Sequence, residues 1–196
     1  MKPMDQGQLN QFCELLKGLM SPSNEVRKPA EQQYQNTKAQ NPDQVTQALL
    51  AVITSPERDA TLRQQASILL RQNMRVLREK DFVWPKLSEP TKQAVKSSLL
   101  SMVASEANKT MRHKICDCIG ELGGYLCADN SNNQWPELLP TLLQMIASNE
   151  AAPKESGLRI LVDLIPAVGS MLMQNSANDV VAVLKGSMEH SEVITA

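Results

Sequence analysis

His113, Cys116, Cys118 and Cys127 fall within fifteen residues, and imidazole and thiolate at close spacing are the ligand types that hold zinc. On a helix His113 and Cys116 share a face, but Cys118 points about 200° away from Cys116, so a tetrahedral site needs the helix to break there. Together with Cys13 these cysteines are irregularly spaced in a chain large enough to need no staples, a pattern that predicts free, mostly buried thiols, no disulfide and no metal. Gly120, Gly123 and Gly124 resemble a phosphate loop only in isolation, because the chain has no Walker-type run and no G-x-G-x-x-G after a strand. Inside a helix, such small residues let a neighbouring helix approach. Two histidines, His113 and His190, leave few bases for a triad, and the serines and carboxylates form no recognisable pair with one. The expectation is a protein that is not an enzyme and has no cofactor.

Charged residues recur with more order than nucleophiles do. Arg27, Arg63, Arg112 and Lys154 each stand second in one template: Val26-Arg27-x-x-Ala30-x-x-x-Tyr34, Leu62-Arg63-x-x-Ala66-x-x-x-Leu70, Met111-Arg112-x-x-Ile115-x-x-x-Ile119 and, degenerately, Pro153-Lys154-x-x-Gly157-x-x-x-Leu161. Each copy has an apolar residue at i, a basic one at i+1, a mostly small one at i+4 and a large apolar one at i+8. The copies begin 36, 49 and 42 residues apart, the period of two-helix HEAT or armadillo-like units, which stack because none can bury its apolar face alone. The basic residue follows a core position and so belongs at the rim. There it forms either a structural ladder to a carboxylate or carbonyl of the adjacent repeat, or a direct partner contact.

The bulk of the chain agrees with helices. At 196 residues, 42% hydrophobic and 21% charged, it can bury a sizeable core, and aromatics at 3% beside plentiful Leu, Met, Ala and Gln suit helices better than strands. A net charge of −1 lacks the basic balance of a dedicated nucleic-acid binder, so no direct nucleic-acid contact is expected. No run is long and apolar enough for a membrane span, and a soluble intracellular protein with no membrane contact is expected.

Ser21-Pro22, Asn41-Pro42, Ser55-Pro56, Glu89-Pro90 and Trp135-Pro136 mark helix starts, where proline's missing N–H costs nothing and a preceding Ser or Asn can cap. Between them the periodicity predicts alternating first (A) and second (B) helices. These are A1 at 5–19, B1 at 24–38, A2 at 42–54, B2 at 57–78, a short piece near Trp84, A3 at 90–105, B3 at 107–127, A4 at 136–147, B4 at 151–168 and A5 at 177–188. Pro29 and Pro140 fall about one turn inside predicted helices, where local bends are expected. The fold class is thus all-α, a right-handed α-solenoid or α-α superhelix of about four and a half repeats: 5–38, 42–78, 84–127, 135–168 and an incomplete 171–196. Ser191-Glu192-Val193-Ile194 stands where the next B helix should open, which suggests an N-terminal piece of a longer protein arranged as a single array.

On each B helix, the side turned from the Ala30-like position carries Lys28, Gln32 and Gln35 in B1, Gln64, Arg71 and Arg75 in B2, and Lys114, Asp117 and Glu121 in B3. In a curved array the second helices line the concave side, and these residues then form either a continuous polar binding wall or a merely solvated face.

The run Asn132-Asn133-Gln134-Trp135-Pro136-Glu137-Leu138, with Met111-Arg112-His113-Lys114-Ile115-Cys116-Asp117, Glu25-Val26-Arg27-Lys28-Pro29-Ala30-Glu31 and Leu69-Leu70-Arg71, resembles the N-terminal HEAT repeats of the importin-β (karyopherin-β) family, nearest its importin β-3 subgroup. The resemblance runs from about Gln8 onward; Pro29 and the Pro153-Lys154 pair depart from the family's usual pattern. It implies a nuclear transport receptor that shuttles between cytoplasm and nucleus, binds nucleoporins and carries cargo proteins, mainly through repeats beyond this segment. It also implies that the GTP-bound form of the small GTPase Ran binds the inner B-helix face and couples cargo release to nucleotide state. The alternative is a HEAT-repeat scaffold for a constitutive complex unrelated to Ran.

Overall fold

The computed structural model describes residues 5–76, 82–128, 133–175, 181–182 and 185–186. All its regular elements are helices: α1 (Gln6–Leu19), α2 (Asn24–Gln40), α3 (Pro42–Ile53), α4 (Ala60–Asn73), a 3₁₀ turn (Trp84–Lys86), α5 (Glu89–Ser105), α6 (Lys109–Leu126), α7 (Leu138–Ile146) and α8 (Ala151–Asn175). The chain divides into two compact units, residues 1–98 and 99–196. In the first, α1 packs on α2, α3 and α4, and α3 pairs with α4; in the second, α8 packs on both α6 and α7. The predicted A and B helices map onto these elements in order, and A5 touches the described residues only at 181–182 and 185–186, which are helical. The Ser191–Ile194 stretch lies outside the described residues.

The template has a packing explanation. A Cβ on Gly18 of α1 would come within 3.0 Å of the Ala30 Cβ of α2, and one on Gly157 of α8 would meet Ile146 Cγ1 at 2.8 Å and the Leu142 carbonyl oxygen at 3.2 Å. The i+4 position is therefore small in these copies because the paired helices cross there. The i+8 residues Tyr34, Leu70, Ile119 and Leu161 are all buried. At position i, Leu62 and Met111 are buried while Val26 stays 51% exposed, so the first copy buries its face one turn later than its sequence suggests.

Boundaries differ from expectation where caps lie elsewhere. B2 begins at Ala60, because the Asp59 carboxylate accepts from Thr61 N and Leu62 N at 2.9 and 3.1 Å. Neither Ser55 nor Asn41 caps the helix after it. B2 ends at Asn73 rather than 78: the Asn73 carbonyl accepts from Val83 N at 2.9 Å and its side-chain amide donates to the Tyr34 hydroxyl at 2.8 Å, which turns the chain inward at the fully buried Met74. A4 begins at Leu138, so Pro140 lies in the first turn, where its absent N–H leaves no gap and no bend is required. α2 continues through Pro29, and α8 runs beyond 168 and through Pro166.

Asp43, in the first turn of α3, holds the start of α5 by accepting from Ser88 N at 3.0 Å and Ser88 Oγ at 2.9 Å. Burial opposes its ionisation, but donors on Thr91 and Ser88 and the nearby Lys92 outweigh it, and the carboxyl titrates below the ordinary carboxylate value. A depressed folded-state value stabilises the fold above the unfolded carboxylate value, and that contribution is lost as pH falls through the folded one. Asp43→Asn is therefore expected to cost about 1 kcal/mol at neutral pH and to flatten the acid limb of the stability curve. Urea unfolding between neutral pH and pH 3 checks this; an unchanged acid limb would rule out the assignment.

Candidate functional site

Three of the four recurrent basic residues, Arg27, Arg63 and Arg112, do one local job before any other. Side chains in a first helical turn tilt toward the helix N-terminus, which in each hairpin is where the preceding helix ends. Arg63 Nε donates to the Ile53 carbonyl at 2.9 Å, Arg27 Nη1 to the Ser21 carbonyl at 3.1 Å, and Arg112 Nη1 to the Glu106 and Ala107 carbonyls at 3.1 and 3.4 Å. These carbonyls lie at or just beyond the C-terminal ends of α3, α1 and α5, where backbone acceptors are orphaned and the dipole is negative. Arg27 also pairs with Asn24 and, at 3.5 Å, with Glu31. The expected ladder to the adjacent repeat is made by Arg112, whose Nε donates to Ser156 Oγ at 3.1 Å and whose Nη2 stands 3.7 Å from Glu155. Lys154 is half-buried in the first turn of α8.

A second ladder, not anticipated from sequence, joins α6 to α8. His113 Nε2 lies 3.1 Å from Glu155 Oε1, and Arg159 donates to Asp117 Oδ1 through Nη2 at 2.9 Å and Nε at 3.3 Å. Both pairs are separated by 42 residues and occupy equal template positions, i+2 and i+6, so the two B helices run parallel and in register. Lys109 adds an ion pair to Glu155 at 2.9 Å; its hydrogen bond, then its charge and that of His113, hold the Glu155 carboxyl below its ordinary value against slight desolvation. Asp117 raises Arg159 above its ordinary value by the same hydrogen bonding. The signal was legible: opposite polarity at identical template positions one period apart. Gly120 permits the approach, since a Cβ there would lie 2.9 Å from Asp163, while one on Gly123 would meet Leu138 and Leu164 at 2.6 and 2.9 Å.

The predicted wall residues do not share one environment. Lys28, Gln32 and Gln35 are exposed on α2, with Gln32 bonded to Asn36 at 2.8 Å, and Arg71 is exposed in the last turn of α4. Gln64, Lys114 and Glu121 are half-buried. Arg75 lies beyond the end of α4, so it is not on the helix face, and Asp117 is engaged by Arg159.

The cluster with metal-ligand spacing behaves otherwise. His113 meets Glu155, and the Cys116 thiol points at the Ser156 carbonyl at 4.0 Å. Burial pushes the Cys116 thiol up to about 11, so at neutral pH it is not the thiolate that metal binding or nucleophilic attack requires. All four cysteines are free and buried. Among the described residues no three His, Cys, Asp or Glu side chains stand together as a metal site, and no helix is long and apolar enough to cross a membrane.

Comparison with known proteins places this geometry. A family model described as "IPO5-like, TPR repeats" matches residues 107–195. The probable importin-5 homolog of Dictyostelium discoideum is 27% identical over 157 residues, covering 80% of this chain and 14% of that protein, so the chain spans a small part of its relative's length. Among solved structures, yeast importin-β (Kap95p) superposes with a TM-score of 0.76 at 17% identity, over 89% of this chain and 21% of that one. Kap121p bound to RanGTP gives a TM-score of 0.65 at 24% identity, over 91% and 17%. These last likenesses are of fold: an all-α solenoid of stacked helix pairs.

Proposed function

We propose that the chain, which is similar to importin-β family proteins in sequence and fold, is the N-terminal HEAT array of a nuclear transport receptor and binds Ran-GTP through the exposed polar faces of its B helices. The supporting observation is that Kap121p, on which 91% of this chain superposes, was solved bound to RanGTP. The residues proposed for contact are Lys28, Gln32, Gln35, Gln64, Arg71 and Arg75 in the first unit and Lys114, Asp117 and Glu121 in the second, of which Asp117 also pairs with Arg159. Nucleoporin binding, cargo binding mainly through further repeats, and shuttling between cytoplasm and nucleus belong to the same reading.

Coupling of Ran to cargo is a linkage: whatever Ran-GTP does to cargo affinity, cargo does in return to Ran affinity. Stacked repeats suit such coupling because small rotations at successive interfaces add up. Titration of the purified chain with Ran locked in the GTP form, against the GDP form, is expected to give binding only with GTP. Charge reversal by Arg71→Glu is expected to weaken the complex about tenfold with unchanged helicity, because it replaces an attractive rim charge by a repulsive one. Equal binding of both nucleotide forms would favour a constitutive scaffold, and an unaffected Arg71→Glu variant would remove α4 from the contact.

A further inference from the structure

We propose that Ser55 is the acceptor of a proline-directed serine/threonine kinase, and that a phosphate there loosens the first unit. The chain has two Ser-Pro pairs, Ser21-Pro22 and Ser55-Pro56, and in the second, Ser55-Pro56-Glu57-Arg58, a basic residue follows three places on. Proline presents no N–H, so a kinase pocket for it can be wholly apolar, and the arginine offers a forked donor to an anionic group on the enzyme. Ser21 has Asn24 at the corresponding place.

The start of α4 at Ala60 keeps the turn after Ser55 out of the helix. Because Asp59 caps the helix at Ala60, the Ser-Pro-x-Arg run stays outside it. The Ser55 carbonyl accepts from Arg58 N at 3.1 Å, a turn with proline in its favoured second position, and Pro56, Glu57 and Asp59 are exposed. The Ser55 hydroxyl is half-exposed and donates to the Ala51 carbonyl at 2.7 Å, a contact that a small side-chain rotation breaks. In the reaction Ser55 Oγ attacks the γ-phosphorus of ATP, its proton passes to the kinase's catalytic base, and ADP leaves.

The product differs from serine in two ways. The phosphoester has no proton for the Ala51 carbonyl, and its charge stands at the C-terminal end of α3, where the helix dipole is already negative. Arg58 is the cation of the same turn, and Arg63 is bonded to the Ile53 carbonyl. Arg58 Nη1 now donates to the Cys13 thiol sulfur of α1 at 3.1 Å, and its buried Nε has no hydrogen-bond partner. Turning to the phosphate gives Nε a partner, with Nη2 beside it in fork geometry, and takes Nη1 away from Cys13, so the contact between this turn and α1 weakens.

The chain is to be incubated with a cyclin-dependent kinase and ATP beside Ser55→Ala, Pro56→Ala and a synthetic peptide of residues 50–61, with sites mapped by mass spectrometry. Expected is modification of Ser55 in the folded chain within about tenfold of the peptide's rate, since only local opening is needed. Modification is expected to be lost in both variants and absent at Ser21. The phosphorylated chain should melt about 2–4 °C lower than kinase-treated Ser55→Ala, with faster amide exchange in α1. A peptide that is modified while the folded chain is not, or equal modification of Ser21, overturns the site; an unchanged melting temperature and exchange overturn the loosening.

Discussion

Trp135→Ala is expected to destabilise the second unit by about 3–5 kcal/mol, the range for removing a large aromatic side chain from a packed interior. Trp135 is 1% exposed and is among the largest fully buried side chains. Its backbone is fixed on both sides: its N–H donates to Asn133 Oδ1 at 2.8 Å, its carbonyl accepts from Leu138 N at 3.1 Å, and Gln134 N donates to the Leu126 carbonyl at 3.0 Å. The Asn133-Gln134-Trp135 run thus fastens the end of α6 to the start of α7 and seats the indole in the core. Trp135→Phe keeps most of the apolar volume and should cost markedly less. Hydrogen exchange locates the damage: Trp135→Ala should lose protection in α6 to α8 while α1 to α4 keep theirs. A loss below about 1 kcal/mol by urea unfolding would mean that the ring does not fill the interior.

The same run that carried the family resemblance therefore has a plain mechanical meaning, and much of the fold was readable for similar reasons. Three-to-four spacing fixed which face of α1, α3 and α7 is apolar, and small i+4 residues marked the α1–α2 and α7–α8 crossings. Helix ends were less readable. Ser55-Pro56 and Asp59 both suit a helix start, and the choice fell to Asp59, whose carboxylate reaches two free amides. Asn73 ended α4 through partners 39 and 10 residues distant, which no local pattern reveals.

The candidate site was legible by half. Helix phase placed Lys28, Gln32, Gln35 and Arg71 at the surface, where they are exposed, while Gln64, Lys114 and Glu121 are half-buried. Charge pairing depends on the neighbouring helix as well. Treating α6 as an isolated cylinder made Asp117 look available, whereas aligning it with α8 at 42 residues puts Arg159 beside it. Direction was the other missing ingredient: basic residues were expected to reach the adjacent repeat or a partner, and Arg112 does reach Ser156, yet the backward tilt of helical side chains also aims Arg27, Arg63 and Arg112 at carbonyls of their own hairpins.

That tilt has a measurable consequence, for Arg112→Ala should cost about 3 kcal/mol and Arg27→Ala less than about 1 kcal/mol, although both occupy the same template position. The Arg112 side chain is only 7% exposed, and its loss leaves the Glu106 and Ala107 carbonyls and Ser156 Oγ each short of a donor while Glu155 loses one of its cations. The Arg27 side chain is 36% exposed, its bond to the Ser21 carbonyl is only part-buried, and its ion pair with Glu31 is an ordinary surface pair. Lysine at 112 keeps the charge but cannot bridge a carbonyl and a serine hydroxyl at once, so Arg112→Lys should recover a minority of the loss. Combining Arg112→Ala with Ser156→Ala separates the two roles: if the link to α8 dominates, the second substitution adds little, and if the carbonyls of the hairpin dominate, the two losses add. The tilt argument predicts near-additivity, and urea unfolding of the four proteins decides it.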